Sequence, residues 1–405
     1  MYTLEDYLNF RGDLSFGVSP VNEIDEMVFS AIGKADFTGI LRDGEIGRYS
    51  EAFARFFETK DNDVNARFGL LASPIMMRVL HAISLCPRYA DIKISNFINR
   101  ISTEKTEQMS ALTVLGPNDK IYVTFRGTDD TLVGWKENCE LAILNSVPAQ
   151  RDAVTYLETV AEIFKGPLVV TGHSKGGNLA VYAAANADEE IRGRIEKVIS
   201  YDGPGFRKEF FETEGYQSIQ DKVSTLVPKA SIVGMLMENA GRLEVVECES
   251  EGPAAHDIFV WNLGREGFLR AQDLTEKSLV FRQAIENTLD EMDMTERQEF
   301  VNELFEALSS TGAVKLLDFT EQSLAQIIKL SGNFNRSKEI REFILDLSRF
   351  FIKGAAKNTL EELQERIQEH IQERKQDKVN DPVKEKTEEP KDPDESSQNE
   401  QESYG

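Results

Sequence analysis

The sequence has 405 residues and a formal net charge of −24 at pH 7. This length allows one large α/β domain with an appendage, and the negative charge argues against binding to nucleic acid and against docking on anionic lipid. Three cysteines without metal-ligand spacing predict reduced thiols. An acidic first segment and the lack of an apolar run of about 18 residues predict a cytoplasmic protein.

The chain begins with helical sequence. In residues 1–60, apolar side chains recur at helical spacing, namely Ile24, Met27, Val28 and Ile32. We expect these helices to belong to one large domain that covers residues 1–270.

A strand is predicted over residues 120–125, KIYVTF, which are rich in β-branched and aromatic side chains. This strand leads into Arg126-Gly127-Thr128-Asp129-Asp130, and a segment with Trp135 follows. The position, at the end of an early strand, is where a donor to a substrate oxygen would be placed.

Residues 168–181, LVVTGHSKGGNLAV, contain the pattern G-x-S-x-G. The apolar run before the pattern predicts a strand, and the alanine-rich sequence after it predicts a helix. In this setting the pattern is typical of a nucleophile elbow, a tight turn that exposes Ser174 above the sheet. The backbone N–H of Lys175 then points to where a substrate carbonyl oxygen becomes negative. The alternative is a glycine-rich turn with an incidental serine.

The carboxylate of a catalytic triad is predicted one strand later. Residues 197–201 predict a strand that ends at Asp202, on the same sheet edge as Ser174. Asp202 would hold a histidine in the required tautomer. The Asp-Gly sequence is also ordinary turn chemistry, so Asp221 and Glu238 remain alternatives, while Asp257 is disfavoured as the direct neighbour of the candidate base.

The candidate base is one of four histidines. His173 lies inside the elbow and is expected to pack or hydrogen-bond structurally, and His81 and His370 lie in helix-like sequence. His256 follows a loop and precedes an apolar run, late in the chain, and completes the order serine, acid, histidine. The alternative is a histidine packed in the core.

Residues 271–374 are predicted to form a helical appendage. Thr295-Glu296-Arg297-Gln298 predicts a capping box for a helix that presents Phe300, Leu304 and Leu308. A second helix over residues 338–353 has a dense apolar stripe. We expect these helices to pack on the main domain or a second subunit rather than to enter a bilayer. Residues 375–405 predict a disordered acidic tail.

Two segments together resemble the class 3, fungal-type lipases. They are YVTFRGTDDTLVGWKEN and the elbow GHSKGG, and the similarity covers roughly residues 60–265. The resemblance implies an α/β-hydrolase fold with a mostly parallel sheet and assigns an oxyanion role to Thr128. It also implies that Leu132–Cys139 form a lid that gates the site. In those lipases the acid follows a later strand, whose counterpart here, residues 223–234, ends without a carboxylate. The acid is therefore expected one strand earlier.

As a set, GHSKGGNLA, DGPGF, VPxxSIVGML and HD-x-F-x-W are more similar to an uncharacterised bacterial group. This is the Mbeg-like family, a domain of unknown function (2974), and the similarity extends to Asn22–Asp25. The resemblance implies the fold and a serine hydrolase site but no established substrate.

The sequence therefore predicts a hydrolase of carboxylic esters, acting on an acyl-lipid or lysolipid. Its catalytic residues would be Ser174, His256 and Asp202, with Thr128 and the Lys175 amide at the oxyanion. The Lys175 side chain, where lipases usually have leucine, predicts a cation beside the nucleophile that favours an anionic or polar substrate.

The alternative is a catalytically silent scaffold or regulatory protein that acts through its C-terminal helices. Under either hypothesis we expect no cofactor, no metal and no nucleic-acid partner, and membrane contact is the less favoured expectation. The oligomeric state is left open.

Overall fold

The computed structural model describes residues 2–58, 74–280, 282–283, 293–309, 311–315 and 318. Within these residues, eight strands form one sheet. The strands are β1 (Gly47–Arg48), β2 (Lys93–Ser102), β3 (Glu107–Leu115), β4 (Ile121–Phe125), β5 (Leu168–His173), β6 (Ile195–Tyr201), β7 (Val223–Pro228) and β8 (Arg242–Val246).

The α-helices of the described residues surround this sheet. They are α1 (Leu4–Arg11), α2 (Glu23–Ile32), α3 (Tyr49–Glu58), α4 (Pro74–Leu85), α5 (Leu132–Glu140), α6 (Pro148–Ile163), α7 (Lys175–Asn186), α8 (Glu189–Arg194), α9 (Lys208–Phe211), α10 (Glu214–Gln217) and α11 (Met294–Ser309). Two 3₁₀ turns near the candidate base, Gly252–His256 and Ile258–Val260, follow β8.

The strands lie in the sheet in the order in which they occur in the chain. Strands β1 to β4 pair antiparallel, and β4 to β8 pair parallel. Parallel neighbours need crossover connections. Helices α5 to α10 provide them from β4 to β7, and residues 229–241, with the 3₁₀ turn Val233–Met235, connect β7 to β8. The carboxyl ends of β4, β5 and β6 therefore lie at one edge, where Arg126, Ser174 and Asp202 follow them directly. The predicted α/β-hydrolase fold with a mostly parallel sheet is confirmed.

Strand β4 shows how the sheet is covered on both faces. Ile121, Val123 and Phe125 belong to a buried cluster with residues of α6 and α7. Tyr122 instead contacts Phe29 of α2, with ring centroids 4.6 Å apart. Because side chains alternate across a strand, an apolar run such as β4 is buried on both sides.

The predicted N-terminal helix is α2. The four apolar residues at helical spacing are fully buried, namely Ile24, Met27, Val28 and Ile32. Asn22 caps the helix, and its side chain accepts hydrogen bonds from the Ile24 and Asp25 amides. The Asp25 carboxylate forms a fully buried ion pair with Arg88 at 2.6 Å, which fixes α2 against the segment after α4.

Helix α11 is the part of the predicted appendage that the structure describes most fully, and its predicted start was wrong by two residues. Asp293, not Thr295, is the cap, because its Oδ1 accepts from the Thr295 and Glu296 amides. The Glu296 carboxylate in turn accepts from the Asp293 amide. An aspartate caps as well as a threonine, and a carboxylate is also favoured by the helix dipole at this end.

Helix α11 packs on α5 and the segment after it. Val301, Phe305 and Leu308 form a cluster with Trp135 and Ile143. This helix therefore packs on the main domain, as predicted.

The other predictions for the C-terminal part concern residues that the structure does not describe. The side chains of Phe300 and Leu304, the helix over 338–353 and the tail from residue 375 lie outside the described residues. In the described ranges, none of the helices combines the length and apolar character that crossing a bilayer requires.

Candidate active site

Ser174 occupies a strained turn between β5 and α7. Its φ is +59° and its ψ is −134°, a backbone conformation that a residue with a side chain rarely adopts and that clusters at functional sites. A Cβ at Gly176 would lie 2.0 Å from the Phe125 carbonyl oxygen of the neighbouring strand. Only glycine fits there, so the first turn of α7 can lie directly against the end of β4. This geometry is that of a nucleophile elbow.

Asp202 and His256 are joined at the same sheet edge. The His256 Nδ1 and the Asp202 Oδ2 are 2.6 Å apart, and the Asp202 side chain is completely buried. Since an ionised carboxylate only accepts hydrogen bonds, Nδ1 carries the proton and Nε2 has the free lone pair of a base. The other carboxylate oxygen accepts hydrogen bonds from the Ser231 hydroxyl and the Gly234 amide, so the carboxylate is held in one orientation.

The alternative acids occupy other places. Asp221 lies in an exposed turn before β7, at the opposite edge of the sheet. Glu238 forms an ion pair with Lys208 at 3.6 Å. Asp257 caps the turn Ile258–Val260 by accepting from the Phe259 amide. The geometry therefore favours Asp202 as the partner of His256.

The loop after β4 lies directly against the elbow. A Cβ at Gly127 would be 2.9 Å from the Ser174 Cβ and 3.6 Å from its Oγ. The next residue, Thr128, is held by Asn138 of α5, with Oγ1 2.7 Å from Asn138 Nδ2 and 2.9 Å from Asn138 Oδ1. The segment predicted to serve the oxyanion thus lies beside the candidate nucleophile.

The suggestion that Lys175 offers a cation to the substrate is wrong. Its side chain is fully buried and donates hydrogen bonds to the Gln108 carbonyl at 2.6 Å and to Glu137 Oε2 at 2.8 Å. Sequence position beside the nucleophile did not indicate the direction of the side chain. The ammonium group is neutralised inside the protein and cannot select a substrate anion.

His173 contacts the candidate base, His256, through a hydrogen bond and through its ring. Its Nδ1 lies 2.9 Å from Lys34 Nζ, and its Nε2 lies 2.7 Å from the His256 carbonyl oxygen. The two imidazole rings are in contact, with centroids 4.5 Å apart. Because the lysine can only donate to Nδ1, the His173 proton is on Nε2 and donates to His256. Burial and the nearby Lys34 amine lower the pKa of His173 well below its usual value, so the ring is neutral. The expected structural role of His173 is confirmed.

The structure thus joins Asp202 to His256, and Thr128 to Asn138, by hydrogen bonds. Among the described residues it gives no hydrogen bond between Ser174 Oγ and His256, and His256 reaches the elbow through its contacts with His173. No group of histidines, cysteines or carboxylates suited to a metal ion occurs in the described part of the chain.

A family model described as Mbeg1-like matches residues 83–306, which is more than half of the chain. The chain belongs to the Mbeg1-like family. The matched region includes the segment from Arg126 to Asn138, the elbow, Asp202 and His256. Among curated proteins, no relative matches this chain.

Fungal lipases are among the solved structures that resemble this Mbeg1-like chain. A lipase–propeptide complex from Rhizomucor miehei is 20% identical over 41% of this chain and 59% of its own, with a TM-score of 0.30. This chain thus spans less than two thirds of that lipase. Lipase II from Rhizopus niveus is 14% identical over 44% of this chain and 75% of its own, with a TM-score of 0.31. A triacylglycerol lipase whose catalytic centre is described as a serine protease triad is 14% identical, over 56% and 80%, with a TM-score of 0.34.

Three residues of this site were not identified from the sequence. Asn138 lies ten positions after Thr128, and its signal was only a polar residue in a helical segment. Lys34 is 139 positions from His173, and Glu137 is 38 positions from Lys175. Pairs this distant in sequence follow from the tertiary packing of α2 and α5, for which the sequence gives no local pattern.

Proposed function

We propose that this Mbeg1-like chain is a serine hydrolase of carboxylic esters, with Ser174 as nucleophile, His256 as base and Asp202 as the acid that orients it. The observation that supports the proposal best is the 2.6 Å hydrogen bond between His256 Nδ1 and Asp202 Oδ2, at the edge where Ser174 adopts a strained turn. Together they supply the proton acceptor and the hydroxyl that acyl transfer needs.

In the proposed reaction, the Ser174 hydroxyl attacks the ester carbonyl while His256 Nε2 takes its proton. The resulting imidazolium is stabilised by the Asp202 carboxylate, then gives the proton to the leaving alcohol. An acyl-enzyme remains. Water then attacks the acyl group with His256 again as base, and the carboxylic acid is released as Ser174 recovers its proton.

The proposed oxyanion donors are the Lys175 amide and the Thr128 hydroxyl. The Lys175 amide is the first of α7, where N–H groups have no partner within the helix and the helix dipole favours negative charge. Thr128 Oγ1 accepts from Asn138 Nδ2 at 2.7 Å and lies within donating distance of Asn138 Oδ1 at 2.9 Å. In the proposed complex the Nδ2 contact is kept, and the hydroxyl proton turns from Asn138 Oδ1 to the substrate oxygen. That proton can then stabilise the developing oxyanion.

For the substrate we propose an acyl-lipid or lysolipid, a class suggested by the motifs FRGT and GHSKGG. The net charge of −24 favours a neutral or zwitterionic head group, because an acidic protein repels an anionic lipid surface.

A panel of p-nitrophenyl esters from acetate to palmitate, together with zwitterionic and anionic lysophospholipids, tests the proposal. The proposal expects hydrolysis that disappears in Ser174→Ala, with zwitterionic lysolipid preferred over anionic. The control is the Ser174→Ala protein, with folding checked by circular dichroism. If wild-type and Ser174→Ala proteins hydrolyse the whole panel equally or not at all, the proposal fails.

A further inference from the structure

A fully buried ion pair lies next to the candidate nucleophile. Lys175 Nζ and Glu137 Oε2 are 2.8 Å apart, and both side chains are completely shielded from solvent. Burying two charges costs desolvation energy, and an apolar pair of similar volume often stabilises a fold equally well. A requirement for position would explain why charged residues occur here.

The pair connects four elements around the site. Glu137 of α5 also accepts hydrogen bonds from the Gln108 amide at 2.9 Å and from the Ala149 amide at 2.8 Å. Lys175 of α7 donates to the Gln108 carbonyl at 2.6 Å. The start of the elbow helix is therefore tied to α5, to the start of α6 and to strand β3 through a network of charge-assisted hydrogen bonds.

Each member of the pair adjoins one side of the proposed oxyanion hole. Lys175 provides the first amide of α7 as one donor. Glu137 directly precedes Asn138, which holds Thr128, the other donor. A shift of α5 relative to α7 would change the distance between the two donors, and donors act only when they are fixed where negative charge develops.

We propose that the Lys175–Glu137 ion pair is a positioning device for the oxyanion hole, and that it makes α5 a fixed wall of the site rather than a moving lid. The side chains act through the Lys175 amide and through Asn138, and do not touch the substrate. The packing of α11 on α5 supports the same fixed position. This inference rests on the proposed hydrolase function where it is tested by kinetics. Its second test, by hydrogen exchange, does not depend on that function.

The test variant removes both charges, as Lys175→Met with Glu137→Gln. Lys175→Met alone leaves a buried carboxylate unpaired and destabilises the fold. The control is Lys197→Met with Glu26→Gln, a lysine–glutamate pair that is partly exposed and joins β6 to α2. It lies at the start of β6, away from the site. Each protein is measured well below its own unfolding temperature.

We expect kcat of the test variant to fall about 10²-fold with KM changed less than about threefold, because a displaced donor is lost only in the transition state. Adding Asn138→Ala should then lower kcat little further, since both changes displace the Thr128 hydroxyl. A fall that multiplies with that of Asn138→Ala, or a fall equal to that of the control, overturns the proposal.

Amide hydrogen exchange on peptides from residues 126–140 measures how firmly the Lys175–Glu137 ion pair holds α5, without reference to catalysis. The test variant should exchange faster in α5 than the wild type and the control. Unchanged exchange overturns the proposal even if esterase activity is present. If the wild type hydrolyses no ester, the proposed function fails, while exchange still decides whether the pair holds α5.

Discussion

Asp202→Asn is the most informative single change, because the surroundings of Asp202 determine how the new side chain will lie. The Ser231 hydroxyl and the Gly234 amide both donate to Oδ1. In the variant, these donors hold the amide oxygen, so the amide NH₂ faces His256 Nδ1, which is 2.6 Å from Oδ2 in the wild type. An NH₂ group forces Nδ1 to accept, and the His256 proton moves to Nε2.

A histidine with its proton on Nε2 cannot take the proton of Ser174. Loss of the correct tautomer in a serine triad lowers kcat about 10⁴-fold, which corresponds to about 5.5 kcal/mol of transition-state stabilisation. We expect a loss of this size with little change in KM. The fold should persist, because the amide keeps the shape of the carboxylate and two of its donors.

Stopped-flow or steady-state hydrolysis of a p-nitrophenyl ester measures the loss, and thermal unfolding checks the fold. Asp257→Asn is the matched control, since it changes a carboxylate one residue from His256 that caps a turn. A folded Asp202→Asn protein with activity within about tenfold of the wild type would refute the tautomer argument. Asp221→Asn and Glu238→Gln would then be tested as the acid.

The remaining predictions concern the nucleophile and its base, the residue that holds an oxyanion donor, and the partly buried Lys34. Ser174→Ala and His256→Ala should each lower kcat by about 10⁴-fold or more, and the double variant should be little worse, as ester hydrolysis will show; additive losses would mean that the two do not act together. Asn138→Ala should lower kcat about 10²-fold, whereas Lys136→Ala on the same helix should not, and equal losses would refute the role of Asn138. Burial lowers the pKa of Lys34 from 10.5 to about 8, so between these values Lys34 holds fewer protons in the folded chain than in the unfolded chain, and its own contribution to the free energy of unfolding should rise with pH by about 3 kcal/mol. Burial raises the pKa of Cys86, Cys139 and Cys248, which act in the opposite direction, so the quantity to measure is the difference in unfolding free energy between wild type and Lys34→Met in urea at pH 8 and pH 10. That difference should grow with pH, and a constant difference would refute the shift.

The parts of the site that depend on local sequence could be predicted. The elbow follows from the strand signal before Gly172, the glycines around Ser174 and the alanine-rich helix after it. Asp202 was predicted at the end of the next strand because parallel strands end at a common edge. These features follow from backbone periodicity and turn chemistry within short windows, which a single sequence contains.

The contacts that orient the site could not be predicted. The direction of the Lys175 side chain depends on Glu137, and the tautomer of His173 depends on Lys34, each from a distant part of the chain. The start of α11 was predicted two residues late because Asp293 and Thr295 both fit a capping box. The carboxylate of Asp293 has the advantage here, because the dipole at a helix N-terminus favours negative charge.

Covalent labelling of Ser174 tests the central claim most directly. The 405-residue protein is treated with a fluorophosphonate, its intact mass is measured, and the modified peptide is sequenced by mass spectrometry. We predict one adduct, on Ser174, that is absent from Ser174→Ala and forms much more slowly in His256→Ala. A folded wild-type protein that acquires no adduct on Ser174, or acquires its adduct on another residue, would contradict the account.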